Sequence, residues 1–482
     1  MKKIIAYILA PMLFIASSCD DFGDINVNPN ASEVPLTSAL LTNALTAMGG
    51  STTGGANLVA GFYAQYFTEA LYTDNCLYGV QDVDWAGEMA GSMFDLKNII
   101  NINSDPATAG YAALNGSNNN QIAIARILLA YRFSVLSDRY GDIPYFEALQ
   151  LNTQPTIDDQ EAIYNDLFNE LDEAVAQFDN NGNVKGDILY GGNNENWKKF
   201  ANTLRMILAL RVSVADPTLG QTQFAAALAA DGGVFESNDD NAVLDYPGGG
   251  FRNPWYGIGA DQGVTDVIAD FLNANNDLRE NAFGKPASGT LIGVPYGLVR
   301  EDAISWTAAN PGWSLILNDG FRAEGSELFV LTYADALLAR SQGADYGWST
   351  EDEEALYYDA IKASWEQWGV YIDGNYLTYI ADPDIDLNTG TGMMGATTKT
   401  QKIALQRWLT FYPNGPQGWS EWRRTGIPAL VPTINAINTS KQIPRRFPFP
   451  SVEYSYNPAN IDAAVARMGG DNDAIKVWWD AN

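Results

Sequence analysis

The side chains best suited to binding a small molecule are aromatic residues in stretches rich in Gly, Asn, Pro and Asp. The sequence contains 13 Trp and 24 Tyr, and several stand where a helix core cannot use them. Aromatic faces pack on the CH surfaces of neutral, hydroxyl-rich compounds such as sugars, while neighbouring polar groups bind the hydroxyls. The candidate ligand-binding residues are Asp82, Asp84 and Trp85; Arg252, Asn253, Trp255 and Tyr256; and Trp306 and Trp313.

Each candidate also has a structural explanation. Trp85 would serve equally well to anchor its loop to the core, and turn formation alone would account for Asp82, Asp84 and Asn253. The other Trp residues considered lie in helices or in sequence motifs, and we expect them in the core or in a protein contact: Trp408, Trp419, Trp422, Trp478 and Trp479.

Catalytic chemistry is restricted by what the sequence lacks. It contains no His, which excludes Ser-His-Asp and Cys-His catalysis and imidazole zinc sites. A glycosidase needs only paired carboxylates, and the chain has 58 Asp and Glu, but nothing in the sequence singles out two of them. The sequence therefore favours a binding protein without catalytic residues, with a carboxylate-dependent glycosidase as an alternative.

One acidic segment alternates oxygen-bearing residues as the start of a calcium loop does. These residues are Asp382, Asp384, Asp386 and Asn388. The sixth position is not Gly, and the twelfth, Met393, is not the Glu that such loops use. We expect a polar turn, with calcium binding as the weaker alternative, and no other metal or cofactor. Similarly, Arg423 and Arg424 beside Glu421 predict an internal ion pair rather than a phosphate site.

The N-terminal segment has the order of an export signal. Lys2 and Lys3 precede an apolar run over 4–16, and small residues follow directly before Cys19. The run is shorter than the ~20 residues that a membrane-spanning helix needs. We expect residues 1–18 to be a signal peptide, cleaved before a lipidated Cys19 whose acyl chains hold the protein on a membrane. Plain secretion is the alternative. Because lipidation uses Cys19, the second cysteine, Cys76, is expected to be a buried, unpaired thiol.

The net charge of the chain restricts the classes of molecule that it can bind. The chain has 58 acidic and 28 basic residues, a net charge of −30, which repels phosphate backbones. We therefore expect no nucleic-acid partner.

Helical spacing dominates the rest of the sequence. After a tether and turn in 19–35, we expect helical parts in 36–215 and 326–482, the latter ending in an extended tail, and an irregular, loop-rich ligand-binding part in 216–325. The individual helices considered further below are predicted at 57–72, 88–102, 121–136, 326–342, 353–368 and 399–412. The sequence thus predicts an all-α fold of helix pairs like those of tetratricopeptide repeats.

Five motifs in order along the chain resemble the SusD/RagB family, in its SusD-like nutrient-binding lipoprotein branch. They are Cys19-Asp20-Asp21, Asp24-Ile25-Asn26-Val27-Asn28-Pro29-Asn30, Asp138-Arg139-Tyr140-Gly141-Asp142-Ile143-Pro144-Tyr145, Ser420-Glu421-Trp422-Arg423-Arg424-Thr425-Gly426, and Pro444-Arg445-Arg446-Phe447-Pro448 with Glu453-Tyr454.

The resemblance implies a lipoprotein on the cell surface of Bacteroidetes, anchored in the outer membrane. It implies nutrient uptake through a SusC-type TonB-dependent transporter as partner, with no enzyme activity of its own. Trp85 is similar in position to an early aromatic ligand contact of the family. The aromatic residues favour glycan over peptide as cargo, and a protein-binding surface scaffold is a further alternative.

Overall fold

The structure is a computed structural model that describes residues 34–50 and 54–480. The predicted signal peptide, the predicted lipidation site Cys19 and the turn at 24–30 lie outside the described residues.

The first part of the described chain is mainly helical. Its elements are α1 (Thr37–Thr46), α2 (Ala56–Tyr63), β1 (Phe67–Glu69), α3 (Ala86–Glu88), α4 (Phe94–Ser104), α5 (Ala109–Ala112), α6 (Asn118–Tyr140), α7 (Gln160–Gln177) and α8 (Asn194–Arg211). A π-helical turn, Met89–Met93, joins α3 to α4. Local capping sets the helix starts: the side chain of Asp159 accepts from the amide of Ala162 at the start of α7.

The middle part has shorter elements and most of the described strands. They are α9 (Pro217–Ala229), β2 (Ala242–Asp245), β3 (Gln262–Val264), α10 (Asp266–Ala274), α11 (Glu280–Phe283), α12 (Arg300–Ala309) and β4 (Glu327–Leu331). β1 pairs with β3, and β2 with β4, both antiparallel.

Helices return in the last part. They are α13 (Tyr333–Asp345), α14 (Glu353–Gln367), α15 (Asp373–Ile380), α16 (Lys399–Phe411), α17 (Gly415–Thr425), α18 (Glu453–Tyr456) and α19 (Pro458–Met468). Consecutive helices pack together as α6 with α7, α8 with α9, and α13 with α14. The predominantly helical fold is as predicted, and one hydrophobic core runs from α1 to the C-terminal residues.

A buried polar cluster ties the C-terminal tail to the first helices. The carboxylate of Asp138, at the end of α6, accepts hydrogen bonds from Tyr164 of α7, from Arg211 of α8 and, at 2.8 Å, from Nε1 of Trp479. The backbone carbonyl of Asp138 accepts from Arg423 of α17 at 2.7 Å. Four distant segments therefore meet at one residue.

The predicted internal ion pair of α17 is confirmed for one of the two arginines. Glu421 pairs with Arg424 at 2.5 Å and with Arg407 at 3.2 Å, all three being buried. Arg423 instead stacks on Trp419, with 3.6 Å between its guanidinium carbon and the ring centroid.

Two predicted helices were wrong in part because strands replace them. The helix predicted at 57–72 ends at Tyr63; Gln65 has a φ of 56°, and the chain turns into β1. The helix predicted at 326–342 begins as β4, and α13 starts only at Tyr333, where Thr332 caps it. In both places, pairing with a distant strand overrides the local helical spacing.

None of the helices in the described ranges has both the length and the apolar composition required to cross a bilayer. The thiol of Cys76 is buried and unpaired, as predicted, and burial raises its pKa to about 11.

Candidate functional site

Trp85 lies directly before α3 and is only 2% exposed. Its ring packs edge-on against Tyr140 and Phe449, and its Nε1 donates to Oε1 of Glu453 at 3.0 Å. These contacts are those of a residue that anchors its loop, the structural alternative named above. Trp85 nevertheless lines a groove, where its buried ring forms part of the floor rather than a free stacking face.

The groove has a volume of about 810 Å³, within the usual range for ligand pockets. The π-helical turn and the start of α4 line one side, the loop 144–155 another, and α18 a third. Its apolar lining includes Met89, Ala90, Phe94, Pro144, Leu149 and Leu151, and its polar or aromatic lining includes Asn152, Thr153, Gln154, Glu453 and Tyr456. The phenol ring of Tyr456 is 68% exposed and is the most available aromatic surface in the groove.

The loop 144–155 is held in an unusual backbone conformation. Leu149 and Leu151 have φ values of 59° and 58°, in the left-handed region that bulky residues rarely adopt. The carboxylate of Glu147 accepts from the amide of Thr156 and the side chain of Asn152, which closes the loop. Leu151 is 85% exposed. Backbone strain of this kind concentrates at ligand-binding segments.

Among the described residues that line the groove, Glu453 is the single carboxylate. Burial raises its pKa, and the nearby charge of Asp84 adds to the rise, while the hydrogen bond from Trp85 opposes it. Hydrolysis of a glycosidic bond by the usual mechanism requires two facing carboxyl groups. The groove can therefore bind a ligand through ring surface, amides and hydroxyls, but it lacks a carboxylate pair.

Asp82 and Asp84 accept hydrogen bonds within the protein, Asp82 from a distant segment and Asp84 in a local turn. Asp82 accepts from the amide of Ser451 at 2.8 Å and from its hydroxyl at 2.6 Å, and these bonds lower the pKa of Asp82. Asp84 accepts from the amide of Ala86 at 2.7 Å. These bonds use oxygens of both carboxylates, although both side chains remain exposed.

The four predicted residues at 252–256 lie in two different settings, two of them buried and two accessible. Trp255 is 2% exposed and packs against Phe67 of β1, so neither ring face is open to a ligand. Asn253 is buried too: its oxygen accepts from the amide of Trp255, and its Nδ2 donates to Ser326 and Glu327. Asn253 thus holds the loop against the start of β4, and Trp255 packs it on β1, so neither side chain faces solvent.

The other two residues of that group remain accessible. Tyr256 is 47% exposed, and the guanidinium of Arg252 lies 5.6 Å from its ring centroid. Arg252 also lies 3.7 Å from Glu324. The pair is a surface feature that does not line the groove beside Trp85.

Trp306 and Trp313 belong to different local structures. Trp306 lies on α12 rather than on a loop, and Trp313 follows that helix. A Cβ atom added to Gly263 of β3 would lie within about 3 Å of the Trp313 ring, so the ring packs closely on that strand. Both are partly exposed, and neither lines the groove beside Trp85.

The loop of the calcium hypothesis is occupied by a lysine. The ammonium group of Lys402, on α16, donates to the backbone oxygens of Pro383 and Asp386 and to the hydroxyl of Thr389, at 2.6–2.8 Å. Asp382 and Asp386 accept from the amides of Asp384 and Asn388, as in a polar turn. Within residues 34–50 and 54–480, no cluster of three acidic or thiol side chains suits a metal ion. Lys402 thus bonds backbone and hydroxyl oxygens of this loop, and none of its bonds goes to a side-chain oxygen of the four calcium candidates.

Sequence reasoning missed the loop 144–155 and the residues of α18 as groove lining. The motifs that end in Pro144-Tyr145 and in Glu453-Tyr454 mark two of these segments without indicating where they pack. Tyr456 comes within reach of Trp85 because the tail folds back across the first part of the chain, a contact between residues about 370 positions apart.

The family model SusD-like_2, described as "Starch-binding associating with outer membrane", matches residues 29–450. This chain belongs to that SusD-like family. No curated protein matches it.

Solved structures of similar proteins cover nearly the whole chain. A chitin-binding protein is 27% identical, with a TM-score of 0.77, over 92% of this chain and 100% of that one. A chitin-binding SusD homologue from Flavobacterium johnsoniae is 26% identical, with a TM-score of 0.74, over 92% and 98%. A SusD homologue from Bacteroides uniformis is 25% identical, with a TM-score of 0.79, over 92% and 99%.

Proposed function

We propose that this chain is a non-catalytic lipoprotein of the outer membrane that captures oligosaccharides and passes them to a SusC-type TonB-dependent transporter. The observation that carries the binding step is the groove beside Trp85, where an exposed Tyr456 ring lies among amide and hydroxyl side chains. Membership of a family described as starch-binding, and similarity to two chitin-binding proteins, support a glycan as cargo.

Different residues of the groove are expected to contact different parts of a bound sugar. Tyr456 supplies a ring for the apolar face of a sugar, and Asn152 and Gln154 supply donors and acceptors for hydroxyls. The hydrogen bond between Trp85 and Glu453 holds the base of the groove in place. Because the lining has a single carboxylate, a bound glycan leaves unchanged.

The test is binding of chito-oligosaccharides and malto-oligosaccharides by calorimetry, comparing the wild type with Tyr456→Ala. Loss of a stacked ring is expected to weaken binding about tenfold or more, since each sugar–ring contact contributes on the order of 1–2 kcal/mol. Tyr256→Ala is the matched control, because Tyr256 is an exposed Tyr outside the groove. Equal affinities for all three proteins would rule out the groove as the glycan site. Release of reducing sugar would contradict the non-catalytic assignment.

Peptide cargo is the second candidate, and a specific observation favours it. Half of the groove lining is aliphatic, including Met89, Leu149 and Leu151, which suits apolar side chains better than hydroxyls. A library of short peptides tested against the same variants distinguishes the two. Peptide binding that depends on Tyr456, with no glycan bound, would replace the glycan assignment.

The membrane anchor is tested at Cys19. Acyl chains on this residue are expected to retain the protein with the membrane fraction, and Cys19→Ala is expected to release it. Protease treatment of intact cells reports whether the body faces outward. Co-purification with a TonB-dependent transporter tests the partner, and its absence under conditions that preserve membrane complexes would contradict delivery.

A further inference from the structure

A second concave surface, of about 370 Å³, shares no lining residue with the groove beside Trp85. The start of α10, the segment 296–298 and the loop 429–435 form it. We call this surface the α10 pocket. Its aliphatic lining includes Val267, Leu298, Met394, Leu430, Val431 and Ile434.

The loop of the α10 pocket presents two large aliphatic side chains to solvent. Val431 and Ile434 are 73% and 97% exposed. The backbone that carries them is nevertheless anchored. Nε2 of Gln65 donates to the carbonyl of Val431, and the hydroxyl of Thr433 donates to the carbonyl of Gly297, both at 2.8 Å. A partner that covers these side chains therefore need not order the loop first.

Among the described residues that line the pocket, Asp266 is the single charged one. It is the first residue of α10, its side chain is partly buried, and its carboxylate accepts from the amide of Tyr296 at 3.1 Å. Burial raises the pKa of Asp266; the hydrogen bond from Tyr296 opposes the rise, and the nearby charge of Asp270 adds to it. The described lining thus supplies a carboxylate without a basic side chain, and a positive group from outside would be stabilised there.

The surroundings of Asp266 specify the form of that group. A positive head must reach the carboxylate along aliphatic walls, so it needs an apolar stem, which the side chain of arginine has. The whole segment 427–440 carries no charged residue. Interface cores between proteins are likewise depleted of charges and enriched in Arg.

Two other occupants fit less well. A lipid surface would take up the carboxylate of Asp266 without a counter-charge, which is unfavourable in an apolar medium. A second copy of this chain would bring together two bodies that each have a net charge of −30.

We propose that the α10 pocket docks a partner protein that inserts one arginine side chain, with its guanidinium beside Asp266 and apolar partner surface over Val431 and Ile434. The site is separate from the groove beside Trp85 and does not depend on that groove binding glycan.

The first test measures the anchor alone, with n-butylguanidinium as the probe and n-butanol as its uncharged counterpart. In the mature chain with labelled Ile methyl groups, the NMR signal of Ile434 is expected to shift saturably with n-butylguanidinium. Asp266→Asn is expected to weaken this binding about fivefold or more, because a charge-assisted hydrogen bond is lost. Asp373→Asn is the matched control, since Asp373 is also the first residue of a helix and lies outside the pocket.

The methyl signals of the other Ile residues report whether each variant is folded. The proposal fails if Ile434 does not respond, if n-butanol binds as well as n-butylguanidinium, or if Asp266→Asn binds like the wild type.

The second test identifies the occupant in living cells that make the protein. A photo-reactive benzophenone side chain at position 434 is expected to cross-link one protein, and the same group at Ile372, 56% exposed and outside the pocket, is not. Asp266→Asn is expected to abolish the cross-link. Replacing the arginine nearest to the cross-link in the partner by Gln is expected to have the same effect.

Four results of the second test would overturn the proposal. They are a cross-link to lipid alone, a cross-link to a second copy of this chain alone, no cross-link at all, and a partner captured equally well by Asp266→Asn.

Discussion

At the scale of single residues, Lys402 decides the nature of the 382–389 loop. Its side chain is buried, and three oxygen atoms of the loop accept from its ammonium group. Burial lowers the pKa of Lys402, with nearby Asp386, Asp384 and Asp382 acting in the opposite direction. The chain thus supplies its own cation to this loop, for which the sequence predicts a polar turn and, as the weaker alternative, calcium binding.

We predict that Lys402→Met destabilises the protein by about 2 kcal/mol, because two partly buried carbonyl oxygens and a hydroxyl lose the ammonium group that donates to them. Lys185→Met, at an exposed position, is expected to change stability by no more than about 0.5 kcal/mol. Urea unfolding measures both. Addition of calcium to the wild type is expected to leave the melting temperature unchanged, and a clear rise would restore the calcium hypothesis.

The residue types predicted which interactions the side chains can make better than they predicted which side chains are exposed to solvent. The absence of His and the pairing of Glu421 with Arg424 follow directly from the sequence. The burial of Trp255 does not, because its neighbour Phe67 comes from a segment nearly 190 positions away. An aromatic residue in a Gly/Pro-rich loop can face inward or outward with the same local sequence.

At the scale of elements, close contact between α2 and α17 depends on glycine. A Cβ atom added at Gly415 would lie 2.3 Å from the backbone nitrogen of Gly61. Both atoms of that contact are fixed by helices, so neither can move aside at low cost.

We therefore expect Gly415→Ala to destabilise the protein by about 2 kcal/mol or more, since α17 must shift away from α2. Gly374→Ala is the matched control: it lies in α15 with open space around the new methyl group. There we expect stabilisation of about 0.5–1 kcal/mol from helix propensity. Denaturant unfolding measures the free energy of unfolding of the two variants. A change of the same sign in both, relative to the wild type, would contradict the packing argument.

The loop after β1 is organised by Glu69. Its carboxylate accepts from the amides of Asn75 and Cys76 and from the side chain of Asn75. Burial raises the pKa of Glu69 to about 7, and the charge of Asp261 adds to the rise, while the hydrogen bonds oppose it.

This rise predicts a pH-dependent difference between the wild type and Glu69→Gln. Between pH 4.5 and about 7 the folded state keeps a proton that the unfolded state has lost, so wild-type stability falls as pH rises. Relative to Glu69→Gln, the wild type is expected to lose about 3 kcal/mol across this window and nothing further above it. Urea unfolding as a function of pH measures the difference, and a constant value would disprove the raised pKa.

Elements with strong internal periodicity were predictable. The helix predicted at 121–136 is the core of α6, and those predicted at 353–368 and 399–412 agree closely with α14 and α16. The strands β1 and β4 were not predictable, because each is a few residues long and is defined by a partner far along the chain. The groove was not predictable for the same reason, because its walls come from segments that are far apart in the sequence: α4, the loop 144–155 and α18.

At the scale of the whole molecule, the net charge of −30 acts against folding. Many like charges on one surface repel each other in the compact state, and salt screens this repulsion.

We predict that the melting temperature rises by a few degrees as sodium chloride is increased from low concentration to about 0.15 M. Sucrose at equal osmolality serves as the uncharged control. A fall in melting temperature with salt would mean that surface ion pairs, such as Lys198 with Asp231, outweigh the net repulsion.

The meeting of distant segments at Asp138 has a consequence for local unfolding. Trp479 donates to the buried carboxylate of Asp138 and covers the guanidinium of Arg423. Detachment of the segment that carries Trp479 would leave this buried carboxylate short of a donor. That segment therefore cannot fray independently, because its loosening also loosens the contact between α6 and α17.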